Sequence, residues 1–215
     1  MEQHAADFAR LCREHPVYGK ELRYESYKAG QVLRTPGEEI AAFGLVTEGL
    51  LRAESGTAEG AELCSAYFQP GDLFPELLWF TGRRAYTYTL IAARRTQVAW
   101  LGARRFVEML ESEPEMTWAL LLHLSRRGLK SQLLLDCLNY QTIRERVAYY
   151  LAGMHDLSDG EEFLLPASQT VWANTLRVSR ASLNQELKRM ERQGFFRIQG
   201  QRLKVLDLEG LRGLI

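Results

Sequence analysis

The side chains best suited to chemistry in this sequence are cations and amides grouped toward its C-terminal end. Between Ser168 and Lys204 the chain has eight Lys or Arg residues and two acidic ones, although the whole chain balances 27 basic against 27 acidic residues. Locally concentrated positive charge attracts the phosphates of a nucleic acid. The segment is therefore predicted to face phosphate, and the alternative is that its polar side chains are simply solvated.

The most informative part of this segment, Ser179 to Met190, is predicted to be a helix with Ser179 as its N-cap. Leu183, Leu187 and Met190 recur at helical spacing and should be buried. The opposite face carries Arg, Asn and Gln, which can donate to guanine or pair with adenine in the major groove of DNA. The predicted DNA contacts are Ser168, Gln169, Arg177, Ser179, Arg180, Ala181, Ser182, Asn184, Gln185, Lys188, Arg189 and Arg202.

The elements around this helix follow the order of a winged helix-turn-helix. Thr142 to Met154 predicts one helix, and Ser168 to Gln193 predicts two more with a short break between them. Two alternating runs, Phe195 to Ile198 and Arg202 to Leu206, flank Gly200 and predict a two-stranded hairpin. Three helices followed by a hairpin indicate a DNA-binding module with a wing.

A long helix is predicted before this module, from Met116 to Asn139. Ser112 and Glu115 have the spacing of a capping box, with Pro114 in the first turn. The apolar residues form two stripes, one of Leu121, Leu124, Leu135 and Leu138, the other of Trp118, Leu122, Leu129, Leu133 and Cys137. Two apolar faces need two partners, which we take to be the helix's own barrel and the same helix of a second copy. The predicted dimerisation residues are Trp118, Leu122, Leu129 and Leu133, and the alternative is one buried helix in a monomer.

The segment from Tyr24 to Ala99 predicts short strands rather than helices. Its apolar or alternating runs are separated by Gly, Pro and Glu, which is typical of a β-barrel or β-sandwich. The predicted strands are Gln31 to Leu33, Phe43 to Val46, Leu50 to Ala53, Ala61 to Phe68, Tyr86 to Ile91 and Thr96 to Trp100. The fold class is therefore α+β, with a jelly-roll-like β-domain (1–111), a long dimerisation helix (112–140) and a winged helix-turn-helix domain (141–215).

Composition narrows the classes of function. With 46% hydrophobic and 25% charged residues the chain is globular, and no apolar run reaches the roughly 18 residues that span a bilayer. The start of the chain lacks the pattern of a signal peptide, so a cytoplasmic location without a membrane partner is expected. Cys12, Cys64 and Cys137 form no CxxC and should be small buried residues rather than a disulfide framework or metal site.

Two rival functions fit the sequence less well. A cupin-like metal enzyme needs clustered His and carboxylate ligands on strands, and no histidine lies between Tyr24 and Leu121. A winged helix used against a protein partner would favour acidic wing residues, whereas Arg197, Arg202 and Lys204 are basic. We expect no enzyme activity, no metal and no cofactor.

Two sets of residues resemble one known family. Ala173 to Arg180, with Leu187, Met190, Glu191 and Gly194, resembles the helix-turn-helix of the bacterial transcription factors related to the cyclic AMP receptor protein and the fumarate-nitrate reduction regulator (Crp/Fnr). Tyr27 to Gly30, Gly49 and Pro70 to Leu77 resemble the glycine-punctuated β-roll of cyclic-nucleotide-binding domains. The resemblance covers nearly the whole chain and implies a homodimer on a pseudo-palindromic operator, with a small-molecule effector in the roll and RNA polymerase as further partners.

The phosphate-binding cassette departs from the family pattern. Members that bind nucleotides use a Gly-Glu pair and an Arg-Ser or Arg-Thr pair, and the matching residues here are Pro75-Glu76 and Tyr86-Thr87. Pro75 has no N–H to offer a phosphate and Tyr86 carries no positive charge. Cyclic AMP is therefore not the expected effector.

With cyclic AMP not expected, the resemblance still predicts a pocket in the roll, and this pocket is aromatic. Its presumed walls carry Tyr67, Phe68, Phe74, Trp79, Phe80, Tyr86 and Tyr88, which suit an apolar or aromatic molecule. The predicted effector contacts are Phe74, Glu76, Leu77, Tyr86 and Thr87, with Ser131 and Gln132 from the long helix that closes the pocket in the family. The alternative is that the rings fill the roll and the regulator has no effector, being constitutive or redox-responsive.

The family's other sensing groups lack their ligands here. An iron-sulfur sensor needs an N-terminal cysteine cluster, where only Cys12 is present, and no pair of His4, His15, His123 and His155 has the spacing of haem ligands.

Overall fold

The computed structural model describes residues 8–56, 62–158, 160, 162–165, 169–200 and 202–215, and the chain divides into two units, Met1–His123 and Leu124–Ile215. The first unit contains, in chain order, α1 (Phe8–Glu14), a short 3-10 helix (Tyr18–Glu21), β1 (Arg23–Tyr27), β2 (Val32–Arg34), β3 (Ala42–Glu48), β4 (Leu51–Gly56), β5 (Glu62–Phe68), β6 (Leu73–Phe74), α2 (Glu76–Phe80), β7 (Thr89–Ala92), β8 (Thr96–Gly102) and α3 (Ala103–Ser112). Helix α4 (Pro114–Cys137) follows and continues into the second unit.

The strands of the first unit form two four-stranded antiparallel sheets, in the orders β1-β8-β3-β6 and β2-β7-β4-β5. Side chains alternate along each strand, so each sheet turns one apolar set inward. These sets meet in a core that includes Leu51, Phe74, Leu90, Val98 and Trp100. The predicted β-roll is confirmed.

Gly44 shows how the sequence builds this core. It lies on β3 opposite Phe74 of β6 on one side and Trp100 of β8 on the other. The two rings meet edge to face, with centroids 5.2 Å apart, and a Cβ on Gly44 would overlap the ring of Phe74. A glycine is needed here because two large side chains from neighbouring strands close over it.

All six predicted strands are present as β2, β3, β4, β5, β7 and β8. The prediction missed β1, whose first four side chains are exposed and give no inward stripe, and the two-residue β6. It also began β7 too early: Tyr86 precedes the strand, beside the isolated antiparallel bridge of Ala85 with Glu39, and its N–H donates to Glu38 O at 2.9 Å.

The predicted capping box at Ser112 is wrong. Ser112 is the last residue of α3, and its Oγ lies 3.2 Å from the hydroxyl of Tyr18. Helix α4 instead begins at Pro114, after Glu113 has closed α3 by donating its N–H to Met109 O. Helix α3 was not predicted, although Phe106 and Met109 form its buried stripe.

The second unit contains, after the last turns of α4, α5 (Ile143–Leu157), β9 (Phe163–Leu164), α6 (Gln169–Thr175), α7 (Arg180–Arg192), β10 (Phe196–Gln199), β11 (Arg202–Val205) and α8 (Leu208–Arg212). Strands β10, β11 and β9 form one sheet in that order. The predicted helix, helix, helix and hairpin are all present, with α5 starting one residue late and α6 and α7 separated by a turn.

The C-terminal half of α4 packs into this second unit. Leu133 and Cys137 belong to its core, and a Cβ on Gly153 would overlap the Cδ1 atom of Leu133. Leu133 is 9% exposed. Its predicted place on the dimer face needs correction, because it is buried against α5 of its own chain.

Among the described residues, no helix is both long enough and apolar enough to cross a membrane.

Candidate nucleic-acid interface and the interior of the roll

A tight turn joins the two helices of the candidate DNA-binding module. Arg177 occupies it with φ 54°, in the left-handed region, at the position where the family often has Gly. The N–H of Arg177 donates to Asn174 O at 3.1 Å, and the N–H of Val178 donates to Ala173 O at 3.0 Å. These bonds end α6 and direct the chain into α7.

Helix α7 begins as predicted. The Oγ of Ser179 accepts the N–H of Ser182 at 3.0 Å, which satisfies one backbone donor of the first turn. Leu183, Leu187 and Met190 are buried, at 0%, 2% and 0% exposure. The apolar stripe therefore fixes which face of α7 is left to solvent.

Two arginines of α5 hold the module together. Arg146 donates from Nε to Tyr140 O and from Nη1 to Leu176 O, both at 2.8 Å, and so ties the start of α5 to the end of α6. Arg144 pairs with Glu186 of α7 at 3.3 Å. Neither residue was predicted, because a half-buried cation on an amphipathic helix looks the same as an exposed one in sequence.

The N-terminal cap of α5 lowers the pKa of one carboxyl group. Thr142 and Glu145 form a capping box, in which the Glu145 carboxylate accepts the N–H of Thr142 at 3.1 Å. Those backbone donors lower the pKa of Glu145. The carboxylate is therefore charged at neutral pH, and it accepts the backbone N–H groups of Gln141 and Thr142 at the start of α5.

Eight of the predicted DNA contacts fall into three groups in the structure. Arg180, Ala181, Gln185, Lys188 and Arg189 are exposed on α7. Asn184 and Ser182 are half-buried, and Asn184 Oδ1 accepts a bond from Gln169 Nε2 of α6 at 3.3 Å. Ser168 lies outside the described residues.

The wing adds cations that the predicted set left out. Arg197 pairs with Lys204 and Gln199 with Arg202 across the β10–β11 ladder, and all four are exposed. Glu191 of α7 accepts the N–H of Ile198 at 2.7 Å, which links the wing to the helix. Arg197 follows the buried Phe196, and Lys204 follows the buried Leu203. Because side chains alternate along a strand, this spacing would have placed both cations on the exposed face of the wing.

Inside the roll, the predicted effector residues are mostly core. Phe74, Glu76 and Tyr86 are 0%, 1% and 2% exposed, and the Phe74 ring packs between Phe68 and Trp100. Leu77, Thr87, Ser131 and Gln132 are exposed. The expected aromatic wall is also smaller than predicted.

Trp79 and Phe80 do not join that wall. Both contact the ring of Phe43, at centroid distances of 5.5 and 6.3 Å, and Phe43 stacks on Phe106 of α3. Because Phe43 precedes Gly44 on β3, it points away from the Phe74 core.

A polar group from β2 approaches the same interior. The Arg34 guanidinium lies 4.3 Å from the centroid of the Trp100 ring, and Trp100 Nε1 donates to the hydroxyl of Tyr27 at 3.0 Å. Burial raises the pKa of Tyr86 to about 12, and the Arg34 charge opposes this only in part. Among the described residues the Tyr86 hydroxyl has no hydrogen-bond partner of good geometry. The Arg34 charge therefore acts on Tyr86, the residue that the resemblance aligns with the Arg of the family's cassette.

The described cysteines are not reactive groups. Cys12 and Cys137 are buried, and burial raises the pKa of the Cys137 thiol to about 12. The side chain of Cys64 lies outside the described residues. In the part of the chain that the structure describes, no three His, Cys, Asp or Glu side chains come together as a metal site.

Comparison with known proteins gives the same two parts. Residues 24–113 match the family model of the cyclic nucleotide-binding domain, and residues 145–214 match that of the Crp-like helix-turn-helix domain.

Two curated relatives are transcription regulators. The transcriptional regulator SdrP of Thermus thermophilus is 28% identical over 197 residues, covering 88% of this chain and 92% of that protein. The transcriptional activator protein FnrA of Stutzerimonas stutzeri is 25% identical over 194 residues, covering 87% and 78%.

A variant of CooA from Carboxydothermus hydrogenoformans has the same fold, with a TM-score of 0.61 over 99% of this chain and 97% of that one, at 21% identity. The match to the cyclic nucleotide-binding domain precedes the match to the Crp-like helix-turn-helix domain, and together they span most of the chain. This chain belongs to the Crp/Fnr family of transcription regulators, and its C-terminal module is a DNA-binding helix-turn-helix domain.

Proposed function

We propose that the chain is a homodimeric, sequence-specific regulator of transcription that binds a pseudo-palindromic operator and responds to a small molecule other than cyclic AMP. Residues 1–111 act as the sensor, 112–140 as the dimerisation helix and 141–215 as the DNA-binding domain, in the cytoplasm and with RNA polymerase as a further partner. The observation that carries the proposal is α7, whose apolar stripe is buried while its cations and amides are exposed.

Dimerisation is supported by the surface of α4. Trp118, Leu121, Leu129 and Leu135 are 72%, 52%, 53% and 64% exposed. Exposed apolar side chains along one helix favour a partner, and a second copy of the same helix gives a self-complementary, twofold contact. Leu122, of the predicted set, is half-buried beside this face.

The departure from cyclic AMP is supported by the cassette. Pro75 supplies no N–H, and the side chain of Tyr86 fills the position of the family's Arg with a buried neutral ring. A phosphate there would lose a charge-assisted bond, worth about 1.5 to 3 kcal/mol.

A second candidate is a regulator with no bound effector. It is favoured by the burial of Phe74 and Tyr86, whose rings occupy the interior that an effector would need.

Selection from a pool of randomised pseudo-palindromic duplexes tests the DNA-binding function. Enrichment of one sequence, bound by two copies of the chain, is expected, and failure to enrich any sequence would overturn the proposal. Titration calorimetry with cyclic AMP and cyclic GMP tests the effector class separately. No heat of binding at micromolar nucleotide is expected, and micromolar affinity for either would contradict it.

A further inference from the structure

Arg177 has a backbone conformation that its own side chain makes costly. Among the described residues it is the only one other than glycine with a positive φ, at 54°. In this left-handed region the Cβ of an L-residue crowds the backbone, whereas glycine has no Cβ to clash. A glycine at position 177 would therefore make the same turn in a more stable fold.

The turn around Arg177 is held from several sides. Leu176, before it, is 0% exposed, and its carbonyl oxygen accepts a bond from Arg146 Nη1 at 2.8 Å. Val178, after it, is half-buried and donates its N–H to Ala173 O at 3.0 Å. Arg177 itself is exposed. Its side chain therefore extends into solvent from a turn that the chain fixes.

The guanidinium of Arg177 has no internal contact that would offset this cost. Among the described residues, none forms a hydrogen bond, an ion pair or a ring contact with it, whereas Arg144 and Arg146 bond within the module. The other exposed cations of α7 and the wing lie on regular helix or strand backbone, which suits Lys and Arg. A residue kept where the backbone favours another one points to a role outside the fold.

We propose, on the basis of the DNA-binding function proposed above, that Arg177 binds a backbone phosphate of the operator and contributes affinity without base preference. The first helix of a helix-turn-helix crosses the sugar-phosphate backbone and the second enters the major groove, so a side chain on the turn between them lies beside phosphates. Arg177 also precedes Ser179, the N-cap, and so lies outside α7. A guanidinium suits a phosphate because it donates from two nitrogens in one plane.

Arg177→Gly separates the two effects, because it relieves the backbone and removes the cation. The melting temperature of the chain without DNA should rise by about 2 to 4 °C. Binding to the operator and to a scrambled duplex should weaken alike, by about 5-fold to 10-fold at about 0.1 M salt, and the salt slope should fall by about one unit. Thermal unfolding and fluorescence anisotropy at several salt concentrations measure these changes.

Two more variants serve as controls. Arg177→Lys keeps the charge and the left-handed backbone, so its melting temperature and salt slope should match wild type, with affinity within about 3-fold. Arg10→Gln removes one cation from an exposed position of α1 in the first unit. It should leave affinity and salt slope unchanged, which shows that the effect of Arg177 is local rather than one of net charge.

The outcomes distinguish the phosphate contact from the DNA-binding function. If Arg177→Gly binds both duplexes as wild type does, or loses affinity for the operator alone, the phosphate contact is overturned while the DNA-binding function stands. If the melting temperature does not rise, the left-handed backbone is not costly, and the reason for giving Arg177 an outside partner fails. If wild type binds neither duplex, the phosphate contact and the DNA-binding function are both overturned.

Discussion

Two exposed arginines of the second unit differ in what surrounds them, and so should differ in what they contribute to DNA binding. Arg180 is the first residue of α7, whereas Arg202 lies on the wing, 4.0 Å from Glu162. Arg180→Ala should weaken binding to the selected operator by about 1 to 3 kcal/mol and relax base preference. Arg202→Ala should weaken binding to all duplexes alike and lower the salt slope by about one unit.

Fluorescence anisotropy on the operator and on a scrambled duplex, at several salt concentrations, measures both effects. If Arg202→Ala reduced the ratio of specific to non-specific affinity as much as Arg180→Ala, the distinction between base and phosphate contacts would be wrong.

Tyr86 and Tyr27 should differ in what their hydroxyl groups contribute to the stability of the fold. The Tyr86 hydroxyl is buried without a well-placed partner, so Tyr86→Phe should leave the free energy of unfolding at pH 7 unchanged or slightly higher. Tyr27 accepts the indole N–H of Trp100, so Tyr27→Phe strands a buried donor and should cost about 1 to 3 kcal/mol. Urea unfolding of the two variants measures the difference, and an equal loss in both would contradict it.

The raised pKa of Tyr86 adds a pH dependence to the same prediction. Burial raises this pKa to about 12 from an ordinary value of 10, so both states keep the proton below pH 10. Between pH 10 and 12 the unfolded chain loses the proton first, and the free energy of unfolding falls by up to about 2 to 3 kcal/mol. Tyr86→Phe should show a smaller fall than wild type, while Tyr24→Phe, at an exposed position, should fall as wild type does.

At the scale of the elements, two glycines with similar backbone angles have different surroundings. Gly49, with φ +91°, joins β3 to β4, and a Cβ there would overlap the carbonyl oxygen of Arg95 and the Cα of Thr96. Gly30, with φ +82°, has no heavy atom within 4 Å of the position that a Cβ would take. Gly30→Ala should therefore lower the free energy of unfolding only by the cost of placing a side chain on a left-handed backbone, about 1 to 2 kcal/mol. Gly49→Ala adds the steric overlap and should lower it by about 3 kcal/mol or more.

Thermal and urea unfolding of both variants, beside wild type, give the comparison. If both variants lost the same free energy of unfolding, the junction between β3 and β4 at Gly49 would have relaxed without cost. That result would contradict the close approach of the backbone at residues 95–96.

The elements also show what sequence patterns can and cannot predict. The helices and strands with strong periodicity were predicted within a few residues, as α7 and the wing show, because one buried stripe determines both the element and its exposed face. The failures were β1, whose side chains are mostly exposed, and α3, which was overlooked although it has a buried stripe. Leu133 was misplaced because a helix with apolar residues on several sides does not reveal which ones its own chain covers.

The exposed face of α7 and the interior of the roll also differ in how far the sequence predicts them. The exposed face of α7 follows from one local helix, so the spacing of its apolar residues was enough to predict which face is exposed. The interior of the roll is built by strands distant in sequence, and it brings Arg34 and Trp100 together although 66 residues separate them. Such a non-local pair leaves no periodic signal in a single sequence.

At the scale of the whole molecule, the exposed apolar residues of α4 decide between a monomer and a dimer. A monomer would leave Trp118 and Leu129, at 72% and 53% exposure, in water. Burying one Leu side chain contributes about 1.5 to 3 kcal/mol, and in a twofold dimer each residue counts twice. Leu129→Glu replaces that gain with two buried like charges, so it should raise the dissociation constant of the dimer by at least about 100-fold.

Sedimentation at several protein concentrations measures this shift, and Leu206→Glu is the matched control because Leu206 is also 53% exposed but lies after the wing rather than on α4. The control should stay dimeric. Since an operator with two half-sites is bound by two linked subunits, Leu129→Glu should also lose affinity for the full operator while a single half-site is bound as before. A wild-type chain that sediments as a monomer, or a Leu129→Glu variant that stays dimeric, would mean that the apolar face of α4 has another partner.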